Sequence, residues 1–212
     1  MPIKKGVYRI GGVFMKKSLL AFIFILNISN TFGLIHIETK GGLGFADNYS
    51  ISGSSYSGRL SYLFGLEALY ESSEKTEVGI GVGYKYNSPA KGLLYSASSD
   101  SMHLFNTFPI YGVVKYKFPA MGEYLPFGKI YVGMGYNTIG EYNWAQSVES
   151  GLYTGIGLGA DYGNVVGDLT YSLQQNQMSF VNPSTNQIEK KSVAHSSLNF
   201  TIGYRFEFPW FK

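Results

Sequence analysis

From Leu34 onward, apolar and polar residues alternate with a period of two through eight successive stretches of the chain. Successive side chains of a β-strand point to opposite faces, so each stretch predicts a strand with one apolar face and one charged or glycine-rich face. The connections between these stretches are alternately long and short. A barrel threaded through a membrane by hairpins produces this alternation, because its short turns all lie on one side and its long loops on the other.

The first predicted strand shows the two faces, since Ile35 and Ile37 alternate with His36 and Glu38. No Lys, Arg, Asp or Glu falls on the apolar face of any predicted strand, where an Arg or Lys near the bilayer midplane costs about 2–4 kcal/mol. The pattern predicts an all-β fold, a closed eight-stranded antiparallel up-and-down transmembrane β-barrel. A soluble barrel with its apolar face inward and a barrel of ten strands are the alternatives.

The second face of the strands carries charges of both signs in near balance. The interior of an eight-stranded barrel is just wide enough to be filled by side chains, and buried charges persist when they are paired. We therefore expect a lumen filled by ion pairs; a narrow gated pore, or a small cavity where glycine-rich faces meet, is the alternative. The predicted lumen residues are His36, Glu38, Lys40, Arg59, Glu67, Glu77, Lys85, Lys115, Lys117, Lys129, Asp161, Asp168, Arg205 and Glu207.

The long connections, at 47–58, 88–106, 138–150 and 175–191, are rich in Ser, Asn and Gly. In barrels of this kind long loops are extracellular and short turns periplasmic, so an even strand count predicts periplasmic termini. Aromatic side chains on polar loops suit the recognition of a host protein or glycan, and they are equally usual as interfacial anchors. The candidate loop contacts are Tyr56, Tyr95, Tyr142, Trp144 and Phe180.

Aromatic residues also gather at the strand ends next to the short turns. Transmembrane barrels carry girdles of aromatic side chains at both membrane interfaces. The pattern predicts such a girdle from Tyr70, Phe118, Phe127, Tyr162, Phe206 and Phe208.

The residues before the first strand are predicted to be processing signals. Residues 15–33 have a basic start at Lys16 and Lys17 and a short apolar core. This core is shorter than the roughly 20 apolar residues that span a bilayer, which predicts a cleaved signal peptide over an uncleaved anchor. We interpret residues 1–14 as a mis-assigned extension before a true start at Met15, 34–208 as the barrel and 209–212 as a short tail.

Composition excludes several classes of protein. The chain has no cysteine, so it has no disulfide framework and no thiolate metal site. Five of the 17 basic residues precede residue 34, and the remaining 12 face 14 acidic residues, which argues against a nucleic-acid surface. The three histidines have no carboxylate cluster close by in the sequence, so we predict no metal site and no cofactor.

Two glycine runs, Gly79-x-Gly81-x-Gly83 and Gly155-x-Gly157-x-Gly159, superficially resemble nucleotide-binding loops. A phosphate-binding loop must open a helix, and neither run is followed by one. We interpret these glycines as inward-facing positions where a narrow barrel crowds side chains. Inward Tyr131 and Tyr153 are expected to lie over neighbouring glycines.

His195-Ser196-Ser197 resembles the His-x-Ser motif of outer-membrane lipid A deacylases. A hydrolase of this kind needs the histidine to take the serine proton and a carboxylate to orient the ring. Leu198 departs from the deacylase pattern, and the nearest downstream acid is Glu207. We therefore predict no catalytic residues, with a deacylase-like hydrolase as a remote alternative.

The stretches 108–110 (Phe-Pro-Ile), 115–119 (Lys-Tyr-Lys-Phe-Pro) and 126–136, together with the end at 203–208, resemble the OmpA-like and opacity-protein-like family of small outer-membrane barrels. The chain departs from the family pattern at Phe127 and by continuing through 209–212. The resemblance implies a bacterial outer-membrane protein that contacts outer-membrane lipid and whose closing strand is recognised by the barrel-assembly machinery. We expect a non-enzymatic monomer that serves adhesion, recognition or envelope maintenance, with a narrow channel for small solutes as the alternative.

Overall fold

The structure is a computed structural model that describes residues 34–91, 101–139, 145–181 and 187–208. The predicted leader at 1–33 and the tail at 209–212 lie outside these residues. Within the described ranges, no helix has the length and hydropathy needed to cross a bilayer.

The described residues form twelve β-strands. Eight are long and make the wall of the molecule, and four short strands lie in the long connections. In chain order they are β1 (Ile35–Ile51), β2 (Ser54–Ser57), β3 (Ser61–Ser73), β4 (Thr76–Tyr86), β5 (Ala90–Lys91), β6 (Ser101–Met102), β7 (Phe105–Lys117), β8 (Tyr124–Ile139), β9 (Ala145–Val148), β10 (Gly151–Tyr162), β11 (Val165–Val181) and β12 (Ile188–Phe208).

The eight long strands close into a ring. Antiparallel pairing runs through β1, β3, β4, β7, β8, β10, β11 and β12, and β12 pairs back onto β1. The prediction of a closed eight-stranded antiparallel barrel is confirmed. Closure gives the backbone groups of each wall strand a partner on both sides, which is what a strand in hydrocarbon requires.

The ring closes with a stagger. The hydrogen-bonded register that starts at His36 on β1 passes once around the wall and reaches Ser197 on β12. Ser197 lies beside Ala46, between the pairs Phe45–Leu198 and Asn48–Ser196, about ten residues further along β1, so the strands are tilted against the barrel axis. Because of this tilt, side chains far apart in register meet at one depth inside the barrel.

Exposure settles which face of the wall is outside. Phe64 and Leu158 are 65% and 66% exposed, whereas Glu38 and Glu77 are 0% exposed. A soluble barrel would show the reverse arrangement. The apolar face is therefore the outer surface and the ionic face lines the lumen.

The two rims differ. The short turns that follow β3, β7 and β10 lie at one rim, where Ile35 also pairs with Phe208 near both ends of the described chain. The last of these turns has only two residues, and Gly163 adopts φ 55° there, which a tight hairpin requires. We call this end the short-turn rim and the opposite end the long-loop rim.

We call the band of outward apolar side chains around the wall the apolar belt. Three strands, β1, β11 and β12, continue beyond this belt at the long-loop rim. On β1 and β12 the outward residues change from Phe45 and Leu198 to Asn48 and Ser196. Above this point β2 pairs with β1 and β9 pairs with β11. Much of the loop predicted at 175–191 is therefore strand, and that prediction is wrong. Beyond the membrane the outward residues of a strand are polar, so the alternation of side chains continues but no apolar face reveals it.

Candidate functional site in the barrel lumen

Twelve of the predicted lumen residues are buried inside the barrel. Most of them belong to one connected group of carboxylates, ammonium groups and a guanidinium, which we call the lumen ion network. It consists of Glu38, Lys40, Glu67, Glu71, Glu77, Lys115, Lys117, Lys129, Asp161, Asp168 and Arg205.

Arg205 on β12 lies at the centre of the network. Its Nε donates to Glu38 Oε1 at 3.1 Å, and its Nη1 donates to Glu77 Oε1 at 3.1 Å. Its Nη2 lies 3.0 Å from Asp161 Oδ2. The planar guanidinium thus serves carboxylates from three other strands, a role that suits its fixed fork of donors.

Lys115 on β7 bridges the same acids from the other side. Its Nζ lies 3.1 Å from Glu38 Oε1 and 3.0 Å from Asp161 Oδ1, and 3.8 Å from the ring centroid of Phe127. Phe127 was predicted in the interfacial girdle, but it is buried and this prediction is wrong. Its register partners Lys117 and Gly159 share its inward face, and the ring fills the space over that glycine.

The second half of the network lies nearer the long-loop rim. Lys40 Nζ is 2.6 Å from Glu67 Oε2 and 3.4 Å from Asp168 Oδ2. Lys129 Nζ is 2.8 Å from Asp168 Oδ2, and the Tyr111 hydroxyl donates to Glu67 Oε1 at 3.0 Å. Each buried carboxylate here has a charged partner, as buried charges require.

A further part of the lumen ion network lies at the short-turn rim. Lys117 Nζ is 2.6 Å from Glu71 Oε1 and 2.7 Å from Glu77 Oε1, and His36 Nε2 is 3.3 Å from Glu71 Oε1. Glu71 was not predicted, although it lies two residues beyond buried Leu69 and so shares its face. The expectation that no histidine has a carboxylate cluster nearby is wrong for His36.

Two predicted lumen residues are exposed. Arg59 precedes the first residue of β3, Ser61, so it is not held on the inner face of the wall. Glu207 pairs with His36 at the open short-turn rim, where its side chain reaches water. Both placements were wrong because strict alternation says nothing about where a strand starts or where the lumen ends.

Three tyrosines pack beside the ion network. The ring centroids of Tyr111 and Tyr131 are 5.0 Å apart, and those of Tyr131 and Tyr153 are 5.3 Å apart. A Cβ atom at Gly155 would collide with the Tyr131 ring, and one at Gly81 would collide with Tyr111. The inward glycines therefore make room for aromatic side chains, as the sequence predicted for Tyr131.

A small cavity of about 50 Å³ lies next to these tyrosines, bordered by Gly65, Gly83 and Pro109. Pro109 has no N–H to donate, and the β4–β7 ladder skips from the pair Val82–Ile110 to the pair Lys85–Thr107. The space has room for roughly three water molecules at about 10–15 Å³ each. Among the described residues that line it, Lys85 Nζ, Thr201 Oγ1 and Asp168 Oδ1 have no hydrogen-bond partner.

Above the cavity, side-chain amides cross the lumen. Gln174 Nε2 donates to Asn137 Oδ1 at 2.8 Å, and the Thr107 hydroxyl donates to Gln174 Oε1 at 2.9 Å. Asn137 also donates to Asn176 Oδ1 at 3.0 Å. This neutral layer separates the ion network from the long-loop rim.

The long-loop rim is closed by an apolar group that we call the apical cluster. Phe180, predicted as a loop contact, is 4% exposed and belongs to it, so that prediction is wrong: the residue lies on the inner face of β11. Tyr56 packs against the cluster, and the predicted contacts Tyr95, Tyr142 and Trp144 lie outside the described residues. The members are Tyr49, Ile51, Ala90, Leu104, Phe105, Met178, Phe180 and Val193.

A buried polar group supports the apical cluster, outside the apolar belt. His195 stacks on Tyr49 with ring centroids 4.5 Å apart, and its Nε2 lies 3.4 Å from Asp47 Oδ1. Ser88 donates to Asp47 Oδ2 at 2.7 Å. Burial lowers the pKa of His195 to about 4, although Asp47 acts in the opposite direction. Burial acts to raise the pKa of Asp47, but His195 and Lys85 outweigh it and hold that pKa well below its usual value.

The geometry does not favour hydrolysis by the His195-x-Ser197 motif. The Ser197 hydroxyl donates to Asn199 Oδ1 at 2.8 Å, and no hydrogen bond joins it to His195. The carboxylate beside His195 is Asp47 on another strand. A serine nucleophile needs a hydrogen bond to its base, and these described residues lack that arrangement.

No protein-family model matches the chain. An uncharacterised protein of Pasteurella multocida is 24% identical over 173 residues, which cover 66% of this chain and 72% of that protein. The structure of Neisserial surface protein A is similar at 16% sequence identity and a TM-score of 0.47, over 81% of this chain and 97% of that protein. The structure of the outer membrane enzyme PagL is similar at 15% sequence identity and a TM-score of 0.42, over 77% of this chain and 97% of that protein.

The outer membrane protein OprG from Pseudomonas aeruginosa gives a TM-score of 0.50 at 17% identity, over 82% of this chain and 96% of its own. At this identity the similarity shows the fold alone. It agrees with the closed ring of antiparallel strands described above. The chain therefore has the fold of the small outer-membrane β-barrel proteins.

Proposed function

We propose that this chain is a non-enzymatic bacterial outer-membrane protein with a closed lumen, which serves surface recognition or envelope maintenance through its long loops. The lumen ion network carries this proposal, because its charges are paired with one another across the barrel. Glu38 and Glu77 are 0% exposed, so water does not reach these carboxylates at the centre of the network.

The asymmetry of the two rims supports an orientation in the outer membrane. The short turns and both ends of the described chain share one rim, which we assign to the periplasm. The apical cluster and the long connections share the other rim, which we assign to the cell exterior. Outer-membrane lipid would surround the apolar belt of a monomer, and the barrel-assembly machinery would recognise the closing strand that ends at Phe208.

The ordered long-loop rim suits a recognition role. The buried apical cluster holds the bases of the long connections, while their outer faces carry polar residues such as Ser50, Gln175 and Gln177. A rigid base with polar loops above it presents a surface for a host protein or a glycan.

The decisive experiment measures conductance and adhesion on the same purified protein. We expect no single-channel openings in planar bilayers. Replacing residues 92–100 with a Gly-Ser linker of equal length is expected to abolish binding to host cells or matrix and leave the heat-dependent gel shift of the folded barrel intact. Regular openings of the wild type, or unchanged binding after the loops are replaced in turn, would contradict the proposal.

A narrow channel for small solutes is the second candidate function. The cavity beside Gly65, Gly83 and Pro109 favours it, because it is open space next to charged lumen residues such as Lys40 and Lys129. Uptake of small polar solutes into liposomes tests this candidate. A channel predicts uptake that falls when Gly65→Val fills the cavity, whereas the closed-lumen proposal predicts no uptake by either protein.

A further inference from the structure

We propose that His36, Glu71 and Glu77 form a binding site for a divalent transition-metal ion, of which Zn²⁺ is the representative, at the short-turn rim. One potential ligand atom from each residue lies within 4.8 Å of the others. His36 Nε2 is 3.3 Å from Glu71 Oε1 and 3.8 Å from Glu77 Oε1. Three neighbouring strands, β1, β3 and β4, each supply one ligand.

The state of His36 points to a ligand. Its side chain is 2% exposed, and neither ring nitrogen has a hydrogen-bond partner among the described residues. Buried polar side chains nearly always have such partners, so two unsatisfied nitrogens need an explanation. An imidazole nitrogen within 4 Å of oxygens from two carboxylates offers the three donor atoms that a transition-metal ion can use.

The charge balance of the lumen points the same way. The lumen ion network contains six carboxylates and only five basic groups, so the network by itself is one positive charge short. The acidic members are Glu38, Glu67, Glu71, Glu77, Asp161 and Asp168, and the basic members are Lys40, Lys115, Lys117, Lys129 and Arg205. Charge excess in a desolvated lumen is costly. A divalent ion that takes the place of the Lys117 ammonium group would balance the six negative charges, because four basic groups and the ion together carry six positive charges.

Lys117 competes for both carboxylates of this site, and Arg205 Nη1 also donates to Glu77 Oε1 at 3.1 Å. Lys117 Nζ lies 2.6 and 2.7 Å from the same oxygens of Glu71 and Glu77 that would bind the metal. It is the last residue of β7, so its flexible side chain can turn towards the open rim while it stays charged. The half-buried Glu71 side chain provides the path by which an ion enters.

The ligand set selects the class of ion. One imidazole and two carboxylates leave a fourth position for water, a composition that suits Zn²⁺ and its first-row neighbours. Mg²⁺ and Ca²⁺ prefer sites made entirely of oxygen ligands. Binding would connect the ends of three strands at the rim and raise the thermal stability of the barrel.

The test is a titration of the refolded barrel with ZnCl₂, followed by calorimetry and by the melting temperature. We expect one ion per barrel and a higher melting temperature with Zn²⁺ but not with Mg²⁺. His36→Ala is expected to abolish both effects, and Lys117→Met to tighten binding about tenfold by removing the competing ammonium group. Glu207→Gln, which changes an exposed acid on the same rim, is the matched control and is expected to bind like the wild type.

The heat-dependent gel shift establishes that each variant is folded before titration, and His36→Gln replaces His36→Ala if the latter fails it. Absence of binding by both the wild type and Lys117→Met would overturn the proposal. Unchanged binding in the folded His36 variant would overturn it equally, because the ion would then be held elsewhere.

Discussion

At the scale of single residues, the lumen is organised by a few side chains that each serve several partners. Arg205 contacts Glu38, Glu77 and Asp161, which come from three different strands. Removing such a group leaves several buried charges without a partner at once. An exposed ion pair contributes little, because water replaces either partner.

Replacing Arg205 with Met is therefore expected to lower the free energy of unfolding by about 3–5 kcal/mol, the cost of leaving buried charges uncompensated. The control is Lys190→Met, which breaks the exposed 2.7 Å pair with Glu149 and is expected to cost less than about 1 kcal/mol. Urea unfolding in lipid vesicles measures both values. Equal effects of the two substitutions would mean that the lumen charges are hydrated and unpaired.

The contact between Tyr131 and Gly155 gives a second prediction. A Cβ at Gly155 would overlap the Tyr131 ring, whereas a Cβ at Gly167 meets nothing within 4 Å. Gly155→Ala is expected to destabilise the barrel by about 1–3 kcal/mol through overpacking, and Gly167→Ala is not. Adding Tyr131→Leu to Gly155→Ala should recover part of the loss in the same urea assay; strict additivity of the two substitutions would refute the contact.

The sequence predicts the face of a side chain better than its partners. Period two placed Glu38 and Arg205 inside correctly, because one face of each wall strand must meet hydrocarbon. The same rule misplaced Arg59, since it contains no information on where a strand starts. The prediction of an aromatic girdle misplaced Phe127, which lies on the inward face together with Lys129 and Tyr131. The partners of each charge depend on the stagger of the ring, which no single strand encodes.

At the scale of strands, β1, β11 and β12 have two structural roles along their length. Their parts nearer the short-turn rim form the apolar wall. Their upper parts, nearer the long-loop rim, form the base of the apical cluster around Tyr49 and Val193. His195 lies in this upper part, three residues beyond the last outward apolar residue, Leu198. The stability of the upper sheet therefore depends on a titratable group that is buried outside the membrane.

This burial predicts a pH dependence. The pKa of His195 is about 4 in the folded barrel and about 6.5 when exposed, so between these values only the unfolded chain takes up the proton. Stability is complete above pH 6.5 and falls as the pH drops towards 4, by about 2 kcal/mol at pH 5. The lowered pKa of Asp47 adds a further loss at still lower pH.

Thermal unfolding in detergent at pH 7.5 and pH 5 measures this effect. The wild type is expected to lose more stability between the two values than His195→Gln, which has no proton to take up. Equal losses in both proteins would show that another group causes the acid sensitivity. Substitution of exposed Lys190 by Gln is the control and should leave the pH profile unchanged.

The strand boundaries mark the limit of sequence reading at this scale. The apolar periods predicted all eight wall strands, because the membrane imposes an uninterrupted apolar face. The upper part of β11, with Gln175 and Gln177 outward, has no such face and was assigned to a loop. Its strand structure results from pairing with β12 and β9, a tertiary effect.

At the scale of the whole molecule, one constraint produces both the wall and the plug. An apolar exterior sends the charged residues of the wall inward where the strands cross the apolar belt, and a ring of eight strands is too narrow to hydrate them all. The charges must then pair across the lumen, which closes it. The ion-filled lumen and the apolar belt thus follow from the alternation of apolar and polar side chains. The asymmetric rims follow from the alternation of long and short connections.

The asymmetry of the rims makes the last prediction, which uses the absence of cysteine from the chain. Single cysteines at Ser54, Glu123 and Ile202 would report on the long-loop rim, the short-turn rim and the lipid-facing wall; all three positions are exposed. A membrane-impermeant maleimide is expected to label Ser54→Cys on intact cells, and Glu123→Cys only after the outer membrane is permeabilised. Ile202→Cys should react only after unfolding in urea, because its side chain faces hydrocarbon. Labelling of Glu123→Cys on intact cells would reverse the assigned orientation, and rapid labelling of Ile202→Cys in intact membranes would place the apolar belt outside the bilayer.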